Sequence, residues 1–138
     1  MRLGADESRW RFAQARVARL ASVSADGQPH LVPVTFAVDQ DTIYTAIDAK
    51  PKSTRLLRRL SNIEANPGVC LLADHYADDW SQLWWARADG TAAILSDPAL
   101  TAAPVRLLAA RYAQYEASPP PGPVIAVRVS RWQGWSAS

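Results

Sequence analysis

The residues best suited to chemistry in this sequence are cations gathered in one short place. Its two lysines, Lys50 and Lys52, stand in Lys-Pro-Lys-Ser-Thr, directly before a run that reads as a helix from about Ser53 to Ala65. The unpaired backbone N–H groups and positive dipole end of a helix favour an anion there, and the hydroxyls of Ser53 and Thr54 add donors. In outline this is a phosphate cradle. The same residues also suit a solvated helix start in which Ser53 serves only as the cap.

The elements around this segment must hold it. In the helix, Leu56, Leu60 and Ile63 form one apolar stripe, while Arg55, Arg58, Arg59 and Asn62 occupy the opposite arc. A short strand, Thr42 to Ala46, leads in. Upstream, residues 6–16 predict an amphipathic helix capped by Asp6, with Trp10, Phe12 and Ala13 as its apolar surface, lidding one end of a barrel. Val17 to Val38 predicts a hairpin around Asp26-Gly27; Pro33 confines that part of its second strand to an edge or a bulge, and the turn at Asp39 to Asp41 extends the pair to a three-stranded meander. Downstream, Val69 to Asp74 reads as a strand buried on both faces, with Cys70 a small buried side chain. Leu83 to Leu95 reads as a strand pair or one bent strand interrupted at Asp89-Gly90. A helix from Asp97-Pro98 to about Ala117 is expected to kink or split at Pro104. A proline-rich connector, Ser118 to Pro123, precedes a final strand, Val124 to Trp135. The class predicted is mainly β with flanking helices, six to seven antiparallel strands, in one domain over residues 1–138.

Composition narrows the functions. A net charge of +2 with scattered basic residues is too mild for a long polyanion such as nucleic acid, and a local anionic ligand fits better. No apolar run approaches the roughly 20 residues needed to span a bilayer, and residues 1–16 lack the apolar centre of a secretory signal, so a cytoplasmic location is expected. One cysteine forms no internal disulfide, and His30 and His75 sit in no metal-ligand spacing.

Several segments taken in order carry a resemblance: ARLASVSADGQPHLVPVTF, AKPKSTRLLRRLSNIEANPGVCLLADHY, DWSQLWW, the glycine of RADGTA and the terminal VSRWQGW. Together they resemble the split β-barrel of the flavin-binding pyridoxamine-phosphate-oxidase-like superfamily. The nearer likeness is to its deazaflavin branch, the coenzyme F420-dependent oxidoreductases. The resemblance implies that Lys50, Lys52 and Ser53 contact the cofactor phosphate, with Thr54 nearby. It implies that His30, Leu31, Val32, Pro33 and Val34 run past the deazaflavin ring, His30 standing where the family often has glutamine or asparagine. It further implies a homodimer with two cofactor sites at the interface, each completed by the partner's 75–85 region.

A hydride carrier brings the difficult chemistry with it, which accounts for the lack of a triad, paired carboxylates or a metal motif. His75 and Tyr76 are candidate proton donors; each is also readable, and by base rates more readily, as a strand end with a surface hydrogen bond. Trp84 and Trp85 fall on opposite faces of a strand, and Trp80 with Trp84 is expected to wall the substrate pocket. Trp132 and Trp135 are expected in the core or an interface. Hydride transfer from reduced F420 to a quinone, tetrapyrrole or conjugated ketone is the function expected, because Arg55, Arg58 and Arg59 can meet the carboxylates of an oligoglutamate tail that FMN lacks. The alternatives are an FMN-dependent oxidase or reductase on the same barrel, and a protein that stores or carries the cofactor, or haem, without turnover.

Overall fold

The computed structural model describes the backbone of residues 1–47 and 54–138 and the side chains of residues 1–47 and 58–138. Lys50, Lys52 and Ser53 therefore lie outside the described residues, as do the side chains of Thr54 and Arg55. The elements are β1 (Arg2–Leu3), α1 (Ala5–Gln14), β2 (Ala18–Val23), β3 (Pro29–Val34), β4 (Ala37–Asp39), β5 (Thr42–Ala46), α2 (Thr54–Ala65), β6 (Gly68–His75), a 3₁₀ turn (Trp80–Gln82), β7 (Trp84–Leu95), α3 (Pro98–Arg111), α4 (Ala113–Ala117) and β8 (Val124–Ser136). The strands form one antiparallel sheet in the order β3-β2-β6-β7-β8-β5-β4, with β1 added beside β8. This is the mainly β split barrel with flanking helices that was expected, with eight strands.

The long β8 organises the sheet: its first half pairs with β5, its whole length with β7, and its end with β1. The expected meander does not form. Among the described residues strand β3 pairs only with β2, and β4–β5 is a separate hairpin carried by β8. Between them the chain turns inward at Phe36, which is fully buried. A strand holding Pro33 lacks one ladder donor, which suits the sheet edge it occupies.

Side-chain alternation sorts the sheet into two faces. Leu20, Val32, Val34, Ile43, Leu71, Ala86, Ala88, Ile125 and Val127 fill the inside with Phe12 from α1 and Ile63 from α2. Phe12 meets Phe36 at 4.8 Å and Trp132 at 5.4 Å between ring centroids, so α1 does plug one side of the barrel. Helix α1 starts earlier than expected, after Gly4, without a side-chain cap; Asp6 lies in its first turn, and Trp10 is exposed while Ser8 is buried in its place. The helix turns Ser8 toward β8, where the small side chain fits against Gly134.

Strand β6 is not buried on both faces: Val69, Leu71 and Ala73 point in, Leu72 and Asp74 point out, and Cys70 is half-buried. An antiparallel sheet with only one covered face produces this alternation. Strand β7 is one strand, with a register shift at Asp89/Gly90 as anticipated. A Cβ on Gly90 would lie 2.3 Å from the Arg128 carbonyl oxygen, which is why the bulge takes glycine. Helix α3 runs through Pro104, and the break falls instead at Tyr112. The Tyr112 hydroxyl bonds both the amide and the carbonyl of Phe36 and the carbonyl of Arg16, holding that residue in extended backbone between the two helices.

Candidate functional site

The edge strand β3 splits the predicted ligand-facing residues by alternation. Val32 and Val34 are in the core, whereas Leu31 is 66% exposed and Pro33 is exposed beside it. Side chains that can meet a flat ligand on this strand are thus Leu31 and Pro33; Val32 and Val34 have only backbone to offer. His30 is half-buried and shares its face with Ser22, its direct cross-strand partner on β2.

Ser22 connects this edge to α2. The Asn62 side-chain amide donates to the Ser22 hydroxyl at 3.1 Å, with both residues buried. Asn62 is therefore not part of the solvent arc on which its position along the helix placed it. One turn on, the Asn66 amide donates to the carbonyls of Ser24 (2.8 Å) and Val23 (3.3 Å), tying the end of α2 to the β2–β3 turn. In that turn the Ser24 hydroxyl bonds the Asp26 carboxylate. This bond, with the backbone N–H of Asp26 next and the Arg58 charge a smaller influence, holds the Asp26 carboxyl below the usual carboxylate range. Arg58 is exposed and makes no ion pair among the described residues; Arg59 is half-buried.

The candidate proton donors stand elsewhere. His75 ends β6 opposite Trp84, and with Ser81, Gln82 and Trp84 it lines an open recess of about 460 Å³. Trp84 also packs on the core, with the Arg11 guanidinium 5.9 Å from its ring centroid. Tyr76 is 65% and Trp80 74% exposed, the latter on the 3₁₀ turn that Asp79 caps. The strand registers put His30 level with Val69 and His75 six residues further along β6. At about 3.3 Å per residue, the two histidines are separated by roughly 20 Å along the sheet. One chain does not bring His75 and Tyr76 to His30.

The outer face between these ends is a set of cross-strand rows. One runs Leu31, Ala21, Cys70, Asp89 and Arg131; the next runs Pro33, Arg19, Leu72, Arg87 and Gln133; a third joins Asp74, Trp85, Trp135 and Arg2. Burial, followed by the nearby Asp89 charge, pushes the Cys70 thiol up. Trp84 and Trp85 do face opposite sides, and Trp132 is half-buried on Phe12 with its indole N–H donating to Asp41 at 3.0 Å. The Ser22–Asn62 pair was missed by sequence reasoning, although an asparagine one position from the buried Ile63 was the available signal.

Among the described residues no group of acidic, histidine or cysteine side chains could hold a metal, and no helix is long and apolar enough to cross a membrane. A family model described as pyridoxamine 5'-phosphate oxidase matches residues 5–136. No curated protein matches in sequence. Solved structures share the fold at low identity. A conserved hypothetical protein from Mycobacterium tuberculosis superposes with a TM-score of 0.78 at 20% identity, covering 98% of this chain and 86% of that one. An FAD-binding protein from Mesorhizobium loti gives 0.75 at 21%, covering 97% and 95%. A heme storage protein from Vibrio cholerae gives 0.72 at 17%, covering 97% and 95%.

Proposed function

The chain belongs to the pyridoxamine 5'-phosphate oxidase family, and from that premise we propose that it is an oxidoreductase holding a flavin-type cofactor against β3 and the start of α2. The observation that carries this reading is the edge strand itself. Leu31 and Pro33 offer exposed apolar surface for a flat ring, and the outer edge of β3, which no strand among the described residues pairs, offers backbone N–H and C=O groups. Lys50, Lys52, Ser53 and Thr54 are proposed to hold the phosphate, and the backbone of His30, Val32 and Val34 to border the ring. A flavin-type ring supplies hydride chemistry when bound. The chain's part is to bind, orient and exclude water, and Ser22, Asn62 and Asn66 support it by fixing α2 on the strand beside β3.

The finer proposal is that the cofactor is the deazaflavin F420 and the acceptor a quinone, tetrapyrrole or conjugated ketone. Arg58, exposed and without an ion pair among the described residues, supports it, with Arg55 and Arg59 as the other cations for an oligoglutamate tail. The proposed assembly is a homodimer. Its support is the apolar part of the outer face, where Leu31, Val23 and Leu72 are exposed around Ala21, Pro33 and Cys70. A dimer also answers the roughly 20 Å between His30 and His75, since the partner's end of the sheet can bring a proton donor, His75 or Tyr76, with Trp80 and Trp84 as pocket wall.

A carrier without turnover, for flavin or haem, is the second reading. One observation favours it: the His75 and Tyr76 side chains make no hydrogen bond among the described residues, so a single chain does not orient them. The two readings part on turnover. Oxidation of reduced F420, and separately of reduced FMN, is followed by absorbance with a naphthoquinone as acceptor. Catalysed oxidation that falls in Tyr76→Phe or His75→Ala supports the oxidoreductase; tight binding with no acceptor reduced supports the carrier.

A further inference from the structure

The two tyrosines where α3 gives way to α4 do for β3 what its own ladder does not. Among the described residues β3 pairs with β2 alone, and two of its six residues, Pro29 and Pro33, have no N–H to give. Its ladder ends at Val34, the next begins at Ala37, and Thr35 and Phe36 lie between them outside any strand. That end of the strand is held from far along the chain. The Phe36 N–H donates to the Tyr112 hydroxyl at 3.1 Å, and the hydroxyl stands 3.0 Å from the Phe36 carbonyl oxygen, so one side chain meets both backbone groups of a buried residue. The Tyr115 and Thr35 hydroxyls share a hydrogen bond of 2.9 Å. The Arg111 guanidinium lies 5.1 Å from the Phe36 ring centroid.

This clamp is itself fixed. Arg111 donates to the carbonyls of Ala13 and Ala15 at 2.6 Å each, and Arg16 donates back to the Arg111 carbonyl with its guanidinium 4.7 Å from the Tyr112 ring centroid. The Tyr112 and Tyr115 rings meet edge to face at 5.7 Å, and Tyr115 is buried in a cluster with Leu108 and Val124. The junction of α1 with β2 and the junction of β3 with β4 are thus tied to the same short stretch, Arg111 to Tyr115. Its rings supply packing, and its hydroxyls supply position. Removing a hydroxyl keeps the ring, so the two roles can be separated.

We propose that Tyr112 and Tyr115 are positioning residues for the cofactor edge: by holding Thr35 and Phe36 they set where Leu31, Pro33 and the backbone of Val32 and Val34 stand against the ring. This role rests on the reading that a flavin-type ring lies along β3, and it adds that the junction of α3 and α4 decides how well the ring is held.

The test titrates F420 and FMN into the full chain by quenching of cofactor fluorescence, beside thermal melts and amide chemical shifts. In Tyr115→Phe and in Tyr112→Phe the better-bound cofactor is expected to lose about tenfold in affinity, since a productive site tolerates displacements of only roughly 0.5 Å. Amide shifts should reach Leu31 to Val34 in the cofactor-free variants. The double variant Thr35→Val with Tyr115→Phe replaces both hydroxyls by apolar groups and should recover the wild-type melt while its affinity stays lowered. Leu108→Val removes buried volume from the same cluster and should lower the melt with affinity unchanged. If Tyr112→Phe fails to fold, Tyr115→Phe and the double variant carry the test. Unchanged affinity in the folded variants, affinity that falls with the melt in Leu108→Val, or amide shifts that stop at Phe36 would each overturn this role and leave the cofactor reading in place. A wild type that binds neither cofactor would overturn both.

Discussion

Asn62 on α2 and Ser22 on β2 are joined by a buried hydrogen bond of 3.1 Å, which with the Asn66 bonds to Val23 and Ser24 ties the helix to the strand that pairs with β3. A buried polar group that loses its partner costs about 1–3 kcal/mol. Asn62→Ala is therefore expected to lower stability by roughly that amount in denaturant unfolding, by leaving the Ser22 hydroxyl enclosed. Ser22→Ala should cost a similar amount, and the double variant less than the sum, because both changes remove the same bond.

Leu31→Arg tests the proposed dimer. It adds a charge at the centre of the exposed apolar surface but touches no core side chain, so sedimentation should show the wild type as a dimer and the variant as a folded monomer. A stable dimer interface is expected to bury on the order of 2,000 Å². A wild-type chain that sediments as a monomer at micromolar concentration would end this reading.

Gly134→Ala is expected to destabilise by about 1–3 kcal/mol, as overpacking does. The added methyl would lie 2.7 Å from the Ser8 hydroxyl and 2.9 Å from the Trp85 carbonyl oxygen. Combining it with Ser8→Ala should restore only part of the loss in a thermal melt, since the backbone contact remains.

Asp26 gives a pH test with a definite sign. Its folded-state carboxyl is held below the ordinary value of 3.8, first by the Ser24 hydroxyl. Its contribution is thus present above the unfolded value and is lost as pH falls through the folded one. The melting difference between wild type and Asp26→Asn should be seen near neutral pH and should fade below about pH 4. A difference that persists unchanged in acid would contradict it.

Much of the architecture was legible from local signals. Asp97-Pro98 opens α3, Asp26-Gly27 makes the β2–β3 turn, and Asp89-Gly90 marks the β7 bulge, each because backbone geometry there restricts residue choice. Pairing was less legible. Periodicity in β3 and β5 does not say that β8, some eighty residues on, lies beside β5, so the meander was the natural and mistaken expectation. Pro104 misled for a related reason: the helix tolerates it, while the Tyr112 hydroxyl, bonded to Phe36 far along the chain, sets the break. For the site, the sequence named β3 but not its alternation partners, and the burial of Asn62 depended on a serine forty residues away.

The central claim is that the chain holds a flavin-type cofactor through the start of α2, and equilibrium titration of the purified protein and of Lys52→Ala with F420, FMN and haem tests it most directly. The predicted result is saturable binding of one F420 per chain, tighter than FMN, with the gap narrowing as salt screens exposed charge. Loss of a charge-assisted hydrogen bond worth about 1.5–3 kcal/mol should weaken F420 in Lys52→Ala by roughly ten- to a hundredfold, and Lys50→Ala by less, with melts unchanged. FMN binding equal to or tighter than F420 would keep the flavin site and discard the deazaflavin. Binding of haem alone, or of none of the three, would contradict the account.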